Sequence, residues 1–355
     1  MSSAPRGRTA SASAPGGSAS PRGIYHEGER AVQRAAGVEA EADRVAVIHG
    51  TRVELMAQAF LSSVSCVALG AADAEGRMWA SVLLGEPGFV RASPGSVRIL
   101  GRATGANNSA AAGDTSAAGD TDAPELPASD LSPHDPIGPH DPIGPHDPIG
   151  PRLPGDRLGL IAMDFTRRRR LRVNGRVRAW GPGLIELGVD EAYGNCPRFI
   201  HRRFLDPGLL ADAHAQAQAR NSSTRTELSL SDAELIGRSD TLFIATKHPE
   251  AGADVSHRGG PAGFLRVAGP NRVQLPDYAG NAMFNTLGNL WSDPRVGLVL
   301  RDFSTGDTVQ LTGRAAIEHE PPRTVWGLEA ERVVDITVDR VVRTRSARAP
   351  GDAPW

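Results

Sequence analysis

Residues able to hold a charged, flat ligand are concentrated around position 258. Arg258 carries a permanent cation whose planar fork suits a phosphate. Gly259 and Gly260 follow it, and glycine lets a backbone lie close to a flat molecule because it has no side chain. Ser256 and His257 come directly before it on the same predicted strand. The alternative is that the glycines mark only a strand bulge and that Arg258 is solvated.

A second polar group follows on a stretch that is interrupted by glycine and then opens a predicted helix. The side chains of Asn281, Asn285 and Thr286, together with the first amides of that helix, could hold phosphate oxygens. Asn285 and Asn289 could instead be capping or surface residues of the helix. No residue stands out as a catalytic acid or base, and nothing resembles a Ser-His-Asp set, a Walker loop or a zinc-ligand spacing.

The elements that position these residues belong to a unit that occurs twice in the sequence. In each half a helix start with capping-box spacing leads into a β-prone run, and two further segments then recur in the same order. The paired segments are Thr51–Glu54 with Ser231–Glu234, Ser65–Leu69 with Thr241–Thr246, Ser81–Arg91 with Ser256–Arg266, and Arg157–Phe165 with Arg295–Phe303.

Short apolar or alternating strands separated by turn residues predict a mainly β protein with a few helices, built as two small antiparallel barrels. Closing strands are predicted at Gly183–Val189 and Arg332–Val342. Between the halves we predict a linking helix from Pro207 to Arg220 and a loop from Asn221 to Arg225.

The first half also contains a long low-complexity insertion. It ends in three copies of Pro-His-Asp-Pro-Ile-Gly between Pro133 and Gly150. Frequent proline excludes helix and sheet, so we expect a solvated linker. His134, His140 and His146, each followed by aspartate, leave a metal site as the alternative.

Bulk properties exclude several classes of function. The net charge of −2 over 355 residues does not favour nucleic acid or an anionic membrane, and we expect no partner of either kind. The run Arg167–Arg170 is interpreted as a solvent-facing hairpin turn. Two cysteines, Cys66 and Cys196, make no disulfide framework, and the first 22 residues are not a secretory signal. We therefore expect a cytoplasmic protein.

The segments Asp254–Arg266, Leu275–Asn281, Met283–Leu290 and Asp293–Leu298 resemble flavin-binding split barrels related to pyridoxamine 5'-phosphate oxidase. The resemblance implies two tandem split β-barrels that form an intrachain pseudo-dimer, with FMN at their interface. Together with composition and the repeat, it predicts a disordered tail at 1–22, a first, degenerate barrel at 23–200 with the insertion at 104–154, a linker at 201–225, a flavin-binding barrel at 226–345 and a tail at 346–355. The implied cofactor-binding residues are Ser256, His257, Arg258, Gly259, Gly260, Pro276, Asp277, Asn281, Asn285 and Thr286.

The chain departs from this family at two places. The positions of a cationic phosphate-binding pair fall on Asn285 and Thr286, so phosphate binding has to rely on Arg258, His257 and neutral donors. The first half places Leu83 where the second has Arg258, and Leu84 where it has Gly259, so one flavin is expected. The implied function is an FMN-dependent oxidoreductase of unknown substrate. A non-enzymatic flavin-binding or redox-sensing protein, a deazaflavin or haem ligand, and a further homodimer stay open.

Overall fold

The structure is a computed structural model that describes residues 23–101, 142–207, 210, 221–318, 324–325 and 328–346. The predicted tail at 1–22, all but the first residue of the predicted tail at 346–355, much of the insertion and nearly all of the predicted linking helix lie outside these residues. Within the described part of the chain, no helix combines the length and apolar character needed to cross a bilayer.

The first half forms a seven-stranded antiparallel sheet. Its strands are β1 (Cys66–Ala72), β2 (Met78–Leu84), β3 (Val90–Ser93), β4 (Ser96–Leu100), β5 (Arg157–Asp164), β6 (Arg169–Gly181) and β7 (Leu184–Gly194). Their order across the sheet is β2-β1-β5-β6-β7-β4-β3. Apolar residues on one face of these strands, among them Val67, Leu69 and Val173, build a core of their own.

The second half forms a sheet with the same order of strands, β10-β9-β13-β14-β17-β12-β11. These are β9 (Thr241–His248), β10 (Gly252–Gly259), β11 (Arg266–Gly269), β12 (Arg272–Asp277), β13 (Arg295–Arg301), β14 (Thr308–Glu318) and β17 (Arg332–Arg345), with a separate hairpin of β15 (Thr324–Val325) and β16 (Leu328–Glu329). The loop predicted at Asn221–Arg225 is wrong. This segment is strand β8, which pairs with β17 from Val341 to Arg345 and so satisfies its backbone groups in the ladder.

Matching glycines show how closely the two halves correspond. Gly175 and Gly313 both sit at a register shift in the long strand of their sheet. A Cβ on Gly175 would lie 1.8 Å from the carbonyl oxygen of Gly188, and one on Gly313 would lie 2.0 Å from that of Thr337. Both bulges therefore need a residue without a side chain.

The two sheets pack against each other across an approximate two-fold relation. A Cβ on Gly159 would meet the backbone of Asp254, and a Cβ on the matching Gly297 would meet the backbone of Met78 and Trp79. A third apolar cluster takes residues from both halves, including Ile161, Phe243 and Val255. The fold is therefore mainly β, with each half carrying its own core and a shared core between them.

Five α-helices are described: α1 (Glu27–Ala36), α2 (Glu39–Val45), α3 (Leu55–Ser63), α4 (Leu230–Arg238) and α5 (Asn285–Ser292). The predicted capping boxes are wrong in register. The N-cap of α3 is Glu54, whose side chain makes no capping bond among the described residues. The box of α4 is formed by Ser229 and Asp232, two residues before the predicted pair, because both reach each other's backbone amide there.

Helix α1 belongs to the sequence range predicted for the first barrel but packs on α5 of the second half. Gly28 and Gly288 make this crossing possible, because a Cβ on Gly28 would lie 2.2 Å from the carbonyl oxygen of Gly288. Gln33 also donates a hydrogen bond from Nε2 to the carbonyl of Met283, at 3.2 Å. Helix α1, which precedes the first sheet in the chain, thus packs against α5 of the second half and holds it in place.

The end of the insertion is packed rather than solvated. Residues 142–150 make consecutive turns, as the proline spacing predicts, but Ile149 is fully buried and Ile143 nearly so. Both join the apolar core of the first sheet. The expectation of a solvated linker is wrong for this part because each copy carries an isoleucine that the core can take up. His134 and His140 lie outside the described residues, and His146 is exposed.

Candidate functional site

A cleft opens between the two halves, beside the last residues of β10. Its empty volume is about 840 Å³, including the part open to solvent. The second half lines it with Ser256–Gly259 of β10, Pro276–Tyr278 at the end of β12, and residues around the start of α5. The first half lines it with Arg170 and Arg172 of β6 and with the segment around Cys196.

Nine of the ten sequence-predicted site residues are brought together here. All but Gly260 line the cleft, although they come from three separate elements of the second half. Their roles in binding stay predictions. The structure also shows that several of these side chains already have partners within the protein, which limits what they could offer to a ligand.

The first half supplies cations that the sequence interpretation missed. Arg167, Arg168 and Arg169 are exposed, in agreement with a solvent-facing turn, but Arg170 is not part of it. Its Nη1 donates to Nδ1 of His257 at 3.0 Å, across the boundary between the halves. The reason is strand alternation, which turns Arg170 and Arg172 away from the core face occupied by Leu171.

Positive charge in the cleft is only partly neutralised. Burial, together with the charges of the neighbouring Arg172 and Arg258, lowers the pKa of Arg170 to about 9. Burial also lowers the pKa of Arg258, and Asp277 only partly opposes this. Asp277 is itself held by Arg332, with Nε at 3.0 Å from the carboxylate. A guanidinium stays protonated at neutral pH despite such shifts, so the cleft attracts anions.

His257 is neutral under ordinary conditions and has a free donor. Burial, followed by the charges of Arg170 and Arg258, lowers the pKa of His257 well below its usual value. Because Arg170 can only donate, Nδ1 of His257 must accept, and the ring proton sits on Nε2. That atom is buried and has no partner among the described residues.

Other buried donors without a partner in the described part of the chain line the same cleft. They are Nε of Arg170, Nδ2 of Asn195 and the hydroxyl of Tyr278. Buried polar groups are nearly always hydrogen-bonded in folded proteins, so a concentration of such donors calls for acceptors. Donors from both halves therefore converge on one space that has an excess of positive charge.

Helix α5 begins at the cleft and adds backbone donors. Its first residues are Asn285, Thr286 and Leu287, and no side chain caps this end among the described residues. Phe284 at the N-cap has a φ of 57°, and Ala282 and Phe199 have similar left-handed values beside the cleft. Non-glycine residues seldom adopt this conformation, and such strain concentrates at functional sites.

Beneath the cleft, Arg172 organises a buried network. It forms an ion pair with Asp254 at 3.2 Å and donates to the Tyr193 hydroxyl at 2.9 Å and to Oδ1 of Asn285 at 2.8 Å. Burial alone would lower the pKa of Arg172, but Asp254 and Tyr193 raise it above the usual value. The charge of this guanidinium is therefore neutralised within the protein, and it contributes to architecture more than to the free charge of the cleft.

Three predicted ligand-binding side chains belong to that network. Ser256 accepts from Arg172 and shares a hydrogen bond of 3.0 Å with the hydroxyl of Thr286. Asn285 accepts from Arg172 and donates from its amide to Glu29 of α1. Asn281 contacts Asn195 and Met283 instead. The side chains of Ser256, Asn285 and Thr286 are thus committed to holding the wall of the cleft together.

The glycines have a structural reason besides the one that the sequence suggested. A Cβ on Gly259 would lie 2.0 Å from the carbonyl oxygen of Phe199, and one on Gly260 would lie 2.7 Å from the side chain of Phe264. Gly263 has a φ of +79° in the following turn. The chain's own packing therefore requires these glycines independently of any ligand, and their clearing of space for a flat ligand stays a prediction.

Two aromatic rings form part of the wall at the same place. Phe199 from the first half and Tyr278 from the second lie 5.1 Å apart between ring centroids, with their planes tilted by 33°, and both line the cleft. Phe199 is 41% exposed, so its ring is accessible to a ligand. Cys196, half-buried, lies on the same side.

The missed residues carried a signal in the repeat. Matching Arg157–Phe165 with Arg295–Phe303 and continuing along the strands places Arg170 opposite Thr308 and Arg172 opposite Gln310. Only one member of each pair is charged. If the halves are related by a two-fold axis, residues at those positions of the first half face β10 of the second half. The structure finds Arg170 and Arg172 there, in contact with His257 and Ser256.

Comparisons with known proteins found similar solved structures only. No family model and no curated protein matches the sequence. Among solved structures, a putative pyridoxamine 5'-phosphate oxidase from Lactobacillus delbrueckii is 16% identical, with 33% of this chain and 94% of that one covered and a TM-score of 0.28. A protein related to general stress protein 26, of the pyridoxinephosphate oxidase family, from Clostridium acetobutylicum is 12% identical, with 34% and 89% covered and a TM-score of 0.26.

A FAD-binding protein from Mesorhizobium loti is 12% identical, with 36% of this chain and 99% of that one covered and a TM-score of 0.24. Scores this low carry no argument by themselves, so the two sheets of identical strand order decide the fold. The chain is a tandem split barrel.

Proposed function

We propose that the cleft binds one FMN and that the chain is a flavoprotein. The observation that carries the proposal is the convergence of donors without partners and of incompletely neutralised guanidinium groups on one cleft with an aromatic wall. A flavin mononucleotide has what these groups lack: a phosphate for the cations, carbonyl and ring-nitrogen acceptors for the buried donors, and a planar ring system for Phe199 and Tyr278.

Charged and neutral residues would bind different parts of the ligand. Arg170, Arg258 and the first amides of α5 would hold the phosphate, because they are the positive groups of the cleft. Nε2 of His257 and Nδ2 of Asn195 would donate to uncharged acceptors. Ser256 and Thr286 would act indirectly, by keeping Arg172 and α5 in position.

Bound FMN supplies hydride and electron chemistry, so we further propose an oxidoreductase acting on a small molecule. The protein would bind and orient, and the neutral His257 would be the group able to hold a proton at Nε2 next to the reacting ligand. The two halves, with their matched bulges and reciprocal glycine contacts, would be copies of one unit that pair within the chain as a pseudo-dimer.

The test compares FMN with riboflavin, which lacks the phosphate. We expect the purified chain to bind FMN, by fluorescence quenching of the flavin, more tightly than riboflavin. Arg258→Leu should weaken FMN binding about 10- to 100-fold and leave riboflavin nearly unchanged, since one charge-assisted contact contributes roughly 1.5–3 kcal/mol. Arg169→Leu, next to Arg170 but exposed, is the matched control and should change neither.

Three results would contradict the proposal. The first is no binding of either flavin by the wild-type chain, and the second is equal loss of both ligands in Arg258→Leu. The third is a visible spectrum of the purified protein dominated by a haem Soret band, which would assign the donors of the cleft to a different ligand. Turnover with a reduced nicotinamide then separates an enzyme from a binding protein.

A further inference from the structure

The two-fold relation between the halves generates a second position, around Ser81 of β2 and Gln310 of β14, that mirrors the candidate site; we call it the mirrored cleft. There, β2 takes the part of β10 and β14 takes the part of β6. Ser81 corresponds to Ser256 and Gln310 to Arg172, and the contact is repeated: Nε2 of Gln310 donates to the Ser81 hydroxyl at 2.9 Å, as Arg172 donates to that of Ser256. The chain therefore contains the framework of two sites.

A different element fills the second framework. In the candidate site, the segment between β12 and β13 provides α5, and Thr286 at its start contacts Ser256 at 3.0 Å. The segment at the same place in the first half is the insertion. Its Asp147 accepts a hydrogen bond of 2.6 Å from Ser81 and another of 3.3 Å from Gln310.

The electrostatic character of this position is thereby reversed. The N-terminus of α5, which attracts anions, is replaced by the carboxylate of Asp147, which is itself an anion. Asp147 also accepts the backbone amide of Ile149 at 3.0 Å, which closes the turn and sets that isoleucine, fully buried, into the core of the first sheet. Leu83, at the position of Arg258, is buried in the same apolar cluster.

We propose that the third Pro-His-Asp-Pro-Ile-Gly copy, residues 145–150, is a built-in occupant of the mirrored cleft. Its carboxylate takes the place at Ser81 that Thr286 has at Ser256 in the open cleft, and its isoleucine anchors it. The insertion thus converts a potential two-site pseudo-dimer into a chain with one open cleft. The closure itself does not depend on which ligand the open cleft binds, whereas the one-ligand stoichiometry rests on the proposed function.

The test removes the two contacts separately in the full chain. Asp147→Ala should lower Tm by about 4 °C or more, because Ser81 and Gln310 lose a buried acceptor. Ile149→Ala should lower Tm at least as much and raise the fluorescence of the apolar dye ANS several-fold, because the anchor leaves a cavity in the core. His146→Ala, in the same repeat but exposed, is the matched control and should change neither quantity.

The readouts are independent of flavin, so they stand even if the open cleft binds something else. If Asp147→Ala and Ile149→Ala both keep the Tm and the ANS signal of His146→Ala, the segment does not close the cleft and the proposal is overturned. Should either variant fail to fold, Asp147→Asn tests the same contact more gently, since it keeps the size of the side chain and removes only its charge. A Tm equal to that of wild type in this variant would then contradict the role of the carboxylate.

Discussion

The two mirrored clefts differ in charge although their frameworks match. Ser256 and Ser81 stand on corresponding strands and receive a hydrogen bond from corresponding neighbours. Around Ser256 the chain has gathered guanidinium groups and a free helix end; around Ser81 it has placed Leu83, Thr308 and an aspartate from its own insertion. The difference shows that the fold provides the position and that a few side chains decide whether the position can receive a ligand.

The largest expected effect comes from Arg172, whose counterpart is Gln310. Arg172→Gln leaves the buried Asp254 without its ion pair, and we expect the free energy of unfolding to fall by about 3–5 kcal/mol. Denaturant unfolding followed by circular dichroism measures it. Arg157→Gln removes a half-exposed pair with Asp190 instead and should cost no more than about 1 kcal/mol. Equal losses in the two variants would mean that the buried network around Arg172 does not stabilise the open cleft.

Copying the closed cleft into the open one should abolish tight binding. In Arg170→Thr/Arg258→Leu two guanidinium groups of the cleft are replaced by the residues of the mirrored half. Two charge-assisted contacts at roughly 1.5–3 kcal/mol each predict FMN binding weaker by about 100-fold or more, with a much smaller change for riboflavin. Equilibrium fluorescence titration measures both. An unchanged FMN affinity would place the phosphate elsewhere.

Gly259 tests whether packing, rather than ligand contact, requires the glycine. A methyl group there would collide with the Phe199 carbonyl, so Gly259→Ala should lower the free energy of unfolding by about 1–3 kcal/mol with no ligand present. Gly181, whose Cβ would meet nothing within 4 Å, is the control, and Gly181→Ala should change stability little. A Gly259→Ala chain that is as stable as Gly181→Ala but unable to bind flavin would show that the glycine is required by the ligand and not by packing.

The smallest effect is the pH dependence contributed by His257. The folded state keeps this ring neutral, with its pKa well below the value of about 6.5 of an unfolded chain. In the window between the two values the unfolded state binds more protons, so stability falls as pH drops below about 6.5. His26, whose pKa burial lowers to about 4, acts in the same direction.

Glu29 acts in the opposite direction, because burial raises its pKa to about 8 and the folded state then holds the extra proton. The difference between wild type and His257→Gln isolates His257. We expect the variant to lose roughly 1 kcal/mol less per pH unit between pH 6 and 5. Parallel stability curves would show that His257 titrates alike in both states.

How far the sequence predicts this molecule depends on whether a contact lies within one half or between the two. Strands β9 and β13 and the start of α5 follow from local pattern and turn residues. The ten predicted site residues, nine of which line the cleft, rest on the family resemblance as well. Arg170 could not be placed from local pattern, because a run of four arginines looks uniformly solvated and only the orientation of one half on the other turns its last member inward. The same applies to Asp147, whose partners are on β2 and β14.

Counting ligands tests the central claim most directly. Wild-type chain at known concentration is titrated with FMN well above the dissociation constant, and the number of bound flavins per chain is read from the break point. The account predicts one, because one cleft is open and cationic and the other is closed by the chain itself. Two flavins per chain would contradict the closure, and none would contradict the proposed ligand.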